Sequence, residues 1–295
     1  MPSHIALPFI VGIGSSGRRA IKFFIEKGIQ AKYAIVSNSN LDRSDQVEFF
    51  DFKEGEKLGL NPQELSIIIS SLAGNTGPYI SHHVAASLKE SGSFVISIVY
   101  PPFPFEEIKK FRASNALRRL SKTSDLVLLV NNEFYLKKAG RLPLDRYYRE
   151  VNEELSVVVD YLINDAGMVD RVKALGGGLA IVSASWGGNL TDNIARLVTK
   201  VFTVAGRIEE GISFISGNPV PSPKDMEKTY KGLSLIEGKQ DVRAAIGMRS
   251  AATIVKVGEV ELMNYDPVAR ILGDRVLDVE PEVRLSIALP IDRID

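Results

Sequence analysis

Residues 11–24 read VGIGSSGRRAIKFF, and the rest of the chain can be interpreted from this stretch. An apolar run over residues 5–12 passes here into a helical pattern through a turn that contains Gly12, Gly14 and Gly17. Glycines at a strand-to-helix turn allow backbone N–H groups to approach an anionic phosphate, which the helix N-terminus also favours. The G-x-G-x-x-G spacing matches the dinucleotide-binding fingerprint. Tight packing of a strand against a helix would explain the same spacing without a ligand.

A second glycine-containing turn follows the third predicted strand, where residues 73–78 read AGNTGP. Two phosphate-binding turns at the carboxyl ends of neighbouring strands suit a nucleoside triphosphate better than a dinucleotide. The Thr76 hydroxyl can donate to a phosphate oxygen, and Pro78 is a residue favoured at the first position of a helix. Asn38 and Asn40 stand where the dinucleotide fingerprint expects an acidic residue for ribose.

The first 130 residues alternate apolar runs with helical patterns, an order that predicts the crossover units of a parallel sheet. Strands are expected at residues 5–12, 32–37, 65–71, 93–99 and 124–130, and helices near 17–28, 78–90 and 106–121. The strands are continuous runs rich in Ile and Val, which indicates burial on both faces.

A long amphipathic pattern follows Pro143, with apolar residues at steps of three and four. Further on we expect strands at 178–185 and 211–216, helices at 189–206 and 223–233, and apolar or alternating runs at 241–248, 251–262 and 283–290. Successive strands without intervening helices indicate a mixed sheet. We therefore predict an α/β protein: a Rossmann-like parallel-sheet domain over 1–143, a central helix over 144–165, and a smaller α/β C-terminal domain with a mixed sheet over 166–295.

Seven segments carry a resemblance to a known family: VGIGSSGRRAIKFF, SNSNLD, KLGLNPQE, AGNTGP, PPFPFEE, LLVNNEFYL and YYREVNEELSVVVDYL. In their order and spacing the chain resembles the tubulin and FtsZ superfamily, nearest to FtsZ and its archaeal relatives. The resemblance is strong to about residue 185 and weak beyond it. It implies a GTP-binding domain, a central helix and a C-terminal domain, in a protein whose head-to-tail polymers close the nucleotide site between subunits.

The resemblance also implies a set of nucleotide-binding residues. Gly12, Gly14, Ser15, Ser16 and Gly17 match the first phosphate loop, and Gly74, Thr76 and Gly77, with Asn75 between them, match the GGGTGTG signature. Glu106 matches a glutamate that holds ribose, Lys110 stands in the place of an arginine, Asn132 matches a residue on the nucleoside side, and Asn152 matches the group that pairs with guanine. An Asn amide both donates and accepts, and a base edge buried without partners would cost about 1–3 kcal/mol per group.

The residues alone also allow structural interpretations of these positions. A carboxylate such as Glu106 at a helix start commonly stabilises the helix dipole. Lys110 fits a solvated helix charge, and Asn152 fits a polar surface or inter-domain residue of the long helix.

The family's hydrolytic loop, N-x-D-x-x-D, follows the central helix and acts on the nucleotide of the next subunit. Its carboxylates orient the attacking water. Here a gapless alignment places Asp170 on the last aspartate but Gly167 on the first, and a shift of one residue makes Asp165 the middle carboxylate. Asp165 and Asp170 are therefore the catalytic candidates, with slow or absent hydrolysis expected. Residues of these types are also common helix caps.

Composition excludes several classes of protein. The 295 residues include no cysteine, which excludes disulfide frameworks, thiolate zinc sites and cysteine nucleophiles. Of the three histidines, His82 and His83 are adjacent and so do not form an i, i+4 metal pair. We expect no metal site built from protein side chains alone, and Mg²⁺ to accompany the nucleotide.

Charge and hydropathy set expectations for partners and location. The 36 basic and 36 acidic residues balance, so no nucleic-acid partner is expected. No apolar run approaches the ~18–20 residues of a membrane span, which predicts a cytoplasmic protein without direct membrane insertion. We also expect neither the flexible linker nor the C-terminal adaptor peptide that FtsZ proteins commonly add.

The leading hypothesis is a GTP-binding cytoskeletal protein that assembles head to tail with itself into filaments, with GTP hydrolysis completed by the next subunit and weakened here. An alternative is a non-hydrolysing regulator or scaffold of the same fold, which the altered hydrolytic loop suggests. A further alternative is an NAD-dependent Rossmann oxidoreductase, which rests on the first glycine turn alone. A cell-division role, and any division partners, are left open by the sequence.

Overall fold

A computed structural model describes residues 7–37, 46–53, 58–132, 134, 143–165, 167–202, 208–236, 239–258 and 260–265. Within them the strands are β1 Phe9–Ile13, β2 Lys32–Ser37, β3 Glu48–Asp51, β4 Leu65–Ser71, β5 Phe94–Tyr100, β6 Leu126–Val130, β7 Gly178–Trp186, β8 Ile208–Gly217, β9 Lys239–Ile246 and β10 Ser250–Val257. The helices are α1 Gly14–Glu26, α2 Thr76–Glu90, α3 Glu107–Thr123, α4 Leu144–Asn164, α5 Met168–Ala174, α6 Leu190–Phe202 and α7 Pro223–Leu233, followed by a 3₁₀ helix, Glu261–Asn264. Asn38, Asn40 and the run predicted at 283–290 lie outside the described residues.

The strands form one sheet in the order β3-β2-β1-β4-β5-β6-β7-β10-β8-β9. From β3 to β7 all neighbours pair in parallel, while β10 runs antiparallel to β7 and β8. The predicted α/β fold with a parallel sheet and a mixed C-terminal part is confirmed. β1 pairs with β2 on one side and β4 on the other, so the strand order reverses between β1 and β4. In open α/β sheets, ligands bind beyond the carboxyl ends of the strands at such a reversal.

Both faces of the parallel sheet are buried, as the continuous apolar runs predict. On one face Ile10, Ile67 and Ile69 pack with Phe24 of α1 and Leu155 of α4. A second apolar cluster joins the other face to α2 and α3. This packing holds α1, α2, α3 and α4 against the sheet.

Some boundaries differ from the sequence expectations. The helix after the first glycine turn begins at Gly14 rather than near residue 17, and α2 begins at Thr76, so Pro78 occupies its third position. Pro78 still costs no hydrogen bond there, because the first N–H groups of a helix have no intrahelical partner. The edge strand β3 was not predicted, since its EFFD sequence is short and only half-buried.

The central helix α4 has 21 residues, which agrees with the predicted 144–165. β6 pairs in parallel with β7, from Leu126 opposite Gly178 to Val130 opposite Val182, so the sheet is continuous at this point. The predicted domain boundaries stay a prediction. No helix among the described residues has the length and apolar character that a bilayer crossing requires.

Candidate functional site

A cavity of about 280 Å³ opens at the carboxyl ends of β1, β4, β5 and β6, beside the reversal of strand order. Its lining comprises Ser15, Ser16, Arg19, Ser71, Ala73, Gly74, Tyr100, Pro101, Phe103, Glu106, Lys109, Asn132, Tyr147, Tyr148 and Asn152. Six of the residues predicted for nucleotide binding are in this set: Ser15, Ser16, Gly74, Glu106, Asn132 and Asn152. The fold therefore gathers residues from distant parts of the sequence at one place.

Two helix N-termini form one end of the cavity. Ser15 and Ser16 lie in the first turn of α1, and Gly74 lies two residues before α2 begins. Neither helix has an acidic residue in its first turn, and among the described residues no side chain caps either N-terminus. Backbone N–H groups at such ends lack intrahelical partners and favour anions. We call this part of the cavity the phosphate end.

The remaining glycines of the two turns serve close packing. A Cβ added to Gly17 would lie 2.6 Å from the backbone of Gly12, and one added to Gly77 would overlap the carbonyl oxygen of Ser71. Gly12 and Gly17 therefore allow tight strand–helix contact, while Ser15 and Ser16 reach the cavity. Neither Gly12, Gly17 nor Gly77 lines it. Phosphate binding at this turn stays a prediction.

Three other predicted residues, Gly14 of the first turn and Asn75 and Thr76 of the second, do not line the cavity. Gly14 and Thr76 bring the two turns into contact, because a Cβ on Gly14 would lie 3.2 Å from Thr76 Cβ. Asn75 accepts a hydrogen bond from Arg112 Nη1 at 3.0 Å through Oδ1. These residues shape the phosphate end, and their backbone is close to it.

The opposite part of the cavity, which we call the nucleoside end, is lined by hydrogen-bonded amides and tyrosines. Asn132 donates to the carbonyl oxygen of Pro101 and accepts from Tyr147 Oη at 2.7 Å. Asn152 Oδ1 accepts from Tyr100 Oη at 3.1 Å. Burial raises the pKa of Tyr100 and of Tyr147, so both hydroxyls stay protonated donors. The two asparagines are thus held in fixed orientations before any ligand binds.

Glu106 also lines the cavity, and its carboxylate already accepts two hydrogen bonds. Its Oε2 accepts from Phe103 N at 2.9 Å, and its Oε1 accepts from Lys109 Nζ at 2.5 Å. Glu106 is the only carboxylate that lines the cavity within the described part of the chain. A cation such as Mg²⁺ would therefore depend chiefly on ligand phosphate oxygens.

Lys110 lies away from the cavity, and Lys109 lines it instead. The Lys110 ammonium pairs with Glu107 at 2.9 Å and lies 5.6 Å from the centre of the Tyr265 ring. Successive residues on a helix point about 100° apart, so a one-residue difference moves the charge to another face. Matching positions along the sequence could not resolve this difference.

Nine of the fifteen residues that line the cavity were not predicted as binding residues, among them Tyr148 and Arg19. Tyr148 stands four residues before Asn152, one helical turn away on α4, and its ring contacts the Arg19 guanidinium at 4.9 Å. The i, i+4 spacing with Asn152 was a usable signal, but Tyr148 also continued the apolar periodicity of the helix. Arg19 lies on α1, where its position in the sequence does not distinguish a side chain that contacts a phosphate from one that faces solvent.

The two catalytic candidates lie at the other end of α4. Asp165 caps its C-terminus, and its Oδ1 accepts from Arg243 Nη1 at 2.9 Å. Asp170 lies in the first turn of α5. With 1.5 Å of rise per residue, Asp165 is about 20 Å along the helix from Asn152. Neither carboxylate lines the cavity of its own chain.

Comparison with known proteins shows which sequences and folds this chain is similar to. No protein-family model matches the chain. Cell division protein FtsZ 1 of Pyrococcus furiosus is 23% identical over 95% of this chain and 78% of its own length. FtsZ of Mycoplasmopsis pulmonis is 27% identical over 46% of this chain. Among solved structures, an FtsZ mutant of M. jannaschii superposes with a TM-score of 0.67 at 15% identity, covering 88% of this chain and 94% of that one.

The chain is a tubulin/FtsZ-like protein. A CetZ from Methanosaeta thermophila has the same fold, with a TM-score of 0.67 at 16% identity over 87% of this chain and 89% of that one. The relationship is distant, and the matches span only 42% of the M. pulmonis FtsZ and 46% of the Haloferax mediterranei FtsZ. The suspected resemblance is thereby confirmed, and the activity of this FtsZ-like chain is a separate question.

Proposed function

We propose that the chain binds GTP and GDP in the cavity at the switch point of its sheet. One observation carries the proposal: two uncapped helix N-termini and two oriented asparagines, Asn132 and Asn152, meet in a single cavity. The first feature suits a polyphosphate, and the second suits a purine edge and ribose. The distant FtsZ relatives support the same ligand class.

In the proposed complex the phosphates lie at the phosphate end and accept from the N–H groups that open α1 and α2. Arg19 and Lys109 supply positive charge along the wall. Asn152 contacts the edge of the base, and the Tyr148 ring gives a flat surface for stacking. Mg²⁺, when bound with the nucleotide, would neutralise phosphate charge.

We further propose that copies of the chain associate head to tail. Asp165 and Asp170 lie at the far end of α4 from the cavity, so within one chain they cannot reach the nucleotide. A second copy stacked along the helix direction would bring them to the phosphate end. An empty FtsZ dimer of M. jannaschii, with a TM-score of 0.65 at 18% identity, supports self-association of this fold. We place this filament-forming protein in the cytoplasm.

Hydrolysis is proposed to be slow. Asp165 is held by Arg243, and Gly167 stands where the family's loop has its first carboxylate. Fewer carboxylates remain to orient an attacking water. A specific observation therefore favours the second candidate function, a non-hydrolysing scaffold that binds nucleotide and assembles.

Nucleotide binding is tested by thermal unfolding with GTP, GDP, ATP and NAD⁺, each with Mg²⁺. A ligand at 100 times its Kd stabilises the native state by about 2.7 kcal/mol. GTP and GDP should raise the melting temperature, while ATP should do so less and NAD⁺ not at all. Absence of any shift at millimolar GTP and GDP would contradict the proposal.

Assembly and hydrolysis are tested together by light scattering, electron microscopy and phosphate release. Asp165→Asn and Asp170→Asn should abolish any GTP turnover in assembled protein and leave GDP binding intact. Asp160→Asn, an exposed carboxylate on the same helix, is the matched control. Polymers without detectable phosphate release in the wild type would favour the scaffold function over the enzyme.

A further inference from the structure

One lysine of the C-terminal part of the chain contacts both walls of the nucleoside end. One wall is the part of α4 that carries Asn152, and the other is the segment after β6 that carries Asn132. Lys200 lies on α6, and only 6% of its side chain is exposed. Its ammonium contacts Glu154 Oε2 at 2.9 Å and donates to the carbonyl oxygen of Ala184 at 2.6 Å. Its own carbonyl oxygen accepts a hydrogen bond from Asn131 Nδ2. A single residue thus contacts the central helix, β7 and the end of β6.

Two of the residues that Lys200 contacts, Glu154 and Asn131, are close in sequence to residues that line the cavity. Glu154 follows Asn152 by two positions on α4, and Asn131 directly precedes Asn132 after β6. The walls are also joined to each other, since Tyr147 on α4 donates to Asn132. Lys200 itself does not line the cavity. Its contacts therefore act on the shape of the nucleoside end from behind both walls.

Burial makes the Glu154–Lys200 pair a strict geometric constraint. The Glu154 side chain is 3% exposed, and its Oε1 accepts from Ala184 N at 2.6 Å. Burial raises the pKa of Glu154, and the adjacent ammonium opposes this by favouring the carboxylate. Separating the two charges in a low-dielectric interior would leave each without its partner. Any movement of α4 relative to α6 must therefore carry the pair with it or break it.

We propose that the Glu154–Lys200 ion pair positions both walls of the nucleoside end and couples nucleotide binding to helix α6. Neither residue reaches the ligand, so both are positioning residues. The inference rests on the nucleotide binding proposed above. Coupling between two sites is reciprocal, so a nucleotide that favours the aligned walls must also stabilise α6 against opening.

The test uses the double variant E154Q/K200M. It removes both charges together, which avoids the buried lone charge of either single substitution, and Gln keeps an acceptor for Ala184 N–H. S213A/T253V is the matched control, because it removes a buried 2.8 Å hydrogen bond between β8 and β10, and neither residue lines the cavity. Calorimetric titration with GDP should show Kd rising about tenfold in E154Q/K200M, equivalent to about 1.4 kcal/mol. The control should stay within twofold at a similar loss of melting temperature.

Hydrogen exchange supplies a readout that a merely structural role would not move. In the wild type, GDP should slow amide exchange over residues 194–201 of α6, and E154Q/K200M should lose this protection. If the wild type binds GDP but the double variant binds it equally well, the inference is wrong and the proposed function stands. Equal weakening in S213A/T253V would also overturn it, as a general stability effect. If the wild type binds neither GDP nor GTP, the proposed function fails and the inference fails with it.

Discussion

The two ends of the central helix are built from different kinds of interaction. Its N-terminal half presents Tyr147, Tyr148 and Asn152 to the cavity, and the uncharged groups there are linked by hydrogen bonds to neighbouring walls. Its C-terminal end presents Asp165, whose carboxylate pairs with Arg243, with side-chain exposures of 18% and 32%. One end is a buried framework of hydrogen-bonded amides and tyrosines, and the other is an ion pair close to solvent.

This difference separates nucleotide binding from contact between subunits, the two properties that the proposed function combines. A buried framework of satisfied hydrogen bonds is costly to rearrange, because an unpaired buried group costs about 1–3 kcal/mol. A partly exposed ion pair contributes little, typically about 0–1 kcal/mol. Nucleotide affinity should therefore depend on the first end, while the second end is free to serve contacts between subunits. Substitutions at the two ends should have effects of different size on different measurements.

The largest effect is expected at the close contact beneath the phosphate end. Gly77→Ala would push a Cβ into the carbonyl oxygen of Ser71, so we expect the free energy of unfolding to fall by about 3 kcal/mol. Urea unfolding measures this loss. Gly74→Ala is the control, because its Cβ would meet no atom nearer than 4.0 Å, and it should unfold almost as the wild type does. Equal stability of the two variants would show that the turn is not packed as described.

Substitution of two asparagines on the same helix tests the difference between its ends directly. Asn152→Ala removes the group proposed to contact the base and leaves the Tyr100 hydroxyl without its acceptor. GDP affinity should fall by about five- to 150-fold, corresponding to about 1–3 kcal/mol. Asn164→Ala removes an amide that donates to Asp160 near the other end, and this variant should bind GDP normally in the same titration. Equal loss in both variants would contradict the assignment of the nucleoside end.

A smaller loss of affinity is expected at the stacking surface. Tyr148→Ala removes the ring next to Arg19. Stacking of a base on an aromatic ring contributes about 1–3 kcal/mol. We expect a loss of binding free energy at the low end of this range, because Arg19 already covers the ring. Tyr148→Phe keeps the ring and should bind within twofold of the wild type. Fluorescence titration with a labelled GDP analogue distinguishes the two. If Phe loses as much as Ala, the hydroxyl rather than the ring is the contact.

Sequence patterns predicted the sheet well because periodicity reflects burial directly. Each parallel strand from β4 to β6 lies within two residues of its expected start, and α4 within one residue of both expected ends. β3 was missed because tertiary pairing with β2, rather than any periodicity of its own, holds its four residues. The starts of α1 and α2 were predicted late because glycine and proline were taken as boundaries, whereas the backbone is already helical through them.

The site was harder to predict than the fold. Ser15, Ser16, Gly74, Asn132 and Asn152 line one cavity, and the sequence could group them because they follow strand ends or a helical register that it shows. Their role in binding stays a prediction. Lys109 and Arg19 were missed because the direction of a side chain on a helix depends on the helical register. An uncertainty of one residue in the predicted register leaves that direction undetermined. Lys200 carried no signal at all, since its partner Glu154 is 46 positions away along the chain and meets it only after the sheet forms.

The smallest effect is expected at the C-terminal end of the central helix. Arg243→Met removes the guanidinium that holds Asp165 at 2.9 Å, and partial exposure of both side chains limits the cost to less than about 1 kcal/mol in urea unfolding. Arg249→Met, a change to an exposed arginine that donates to the carbonyl oxygen of Gly188, controls for loss of charge. GDP should bind both variants within twofold of the wild type, because neither arginine lines the cavity. A tenfold rise in Kd for Arg243→Met alone would mean that the ion pair sets the position of the whole helix, and the two ends could then no longer be treated as independent.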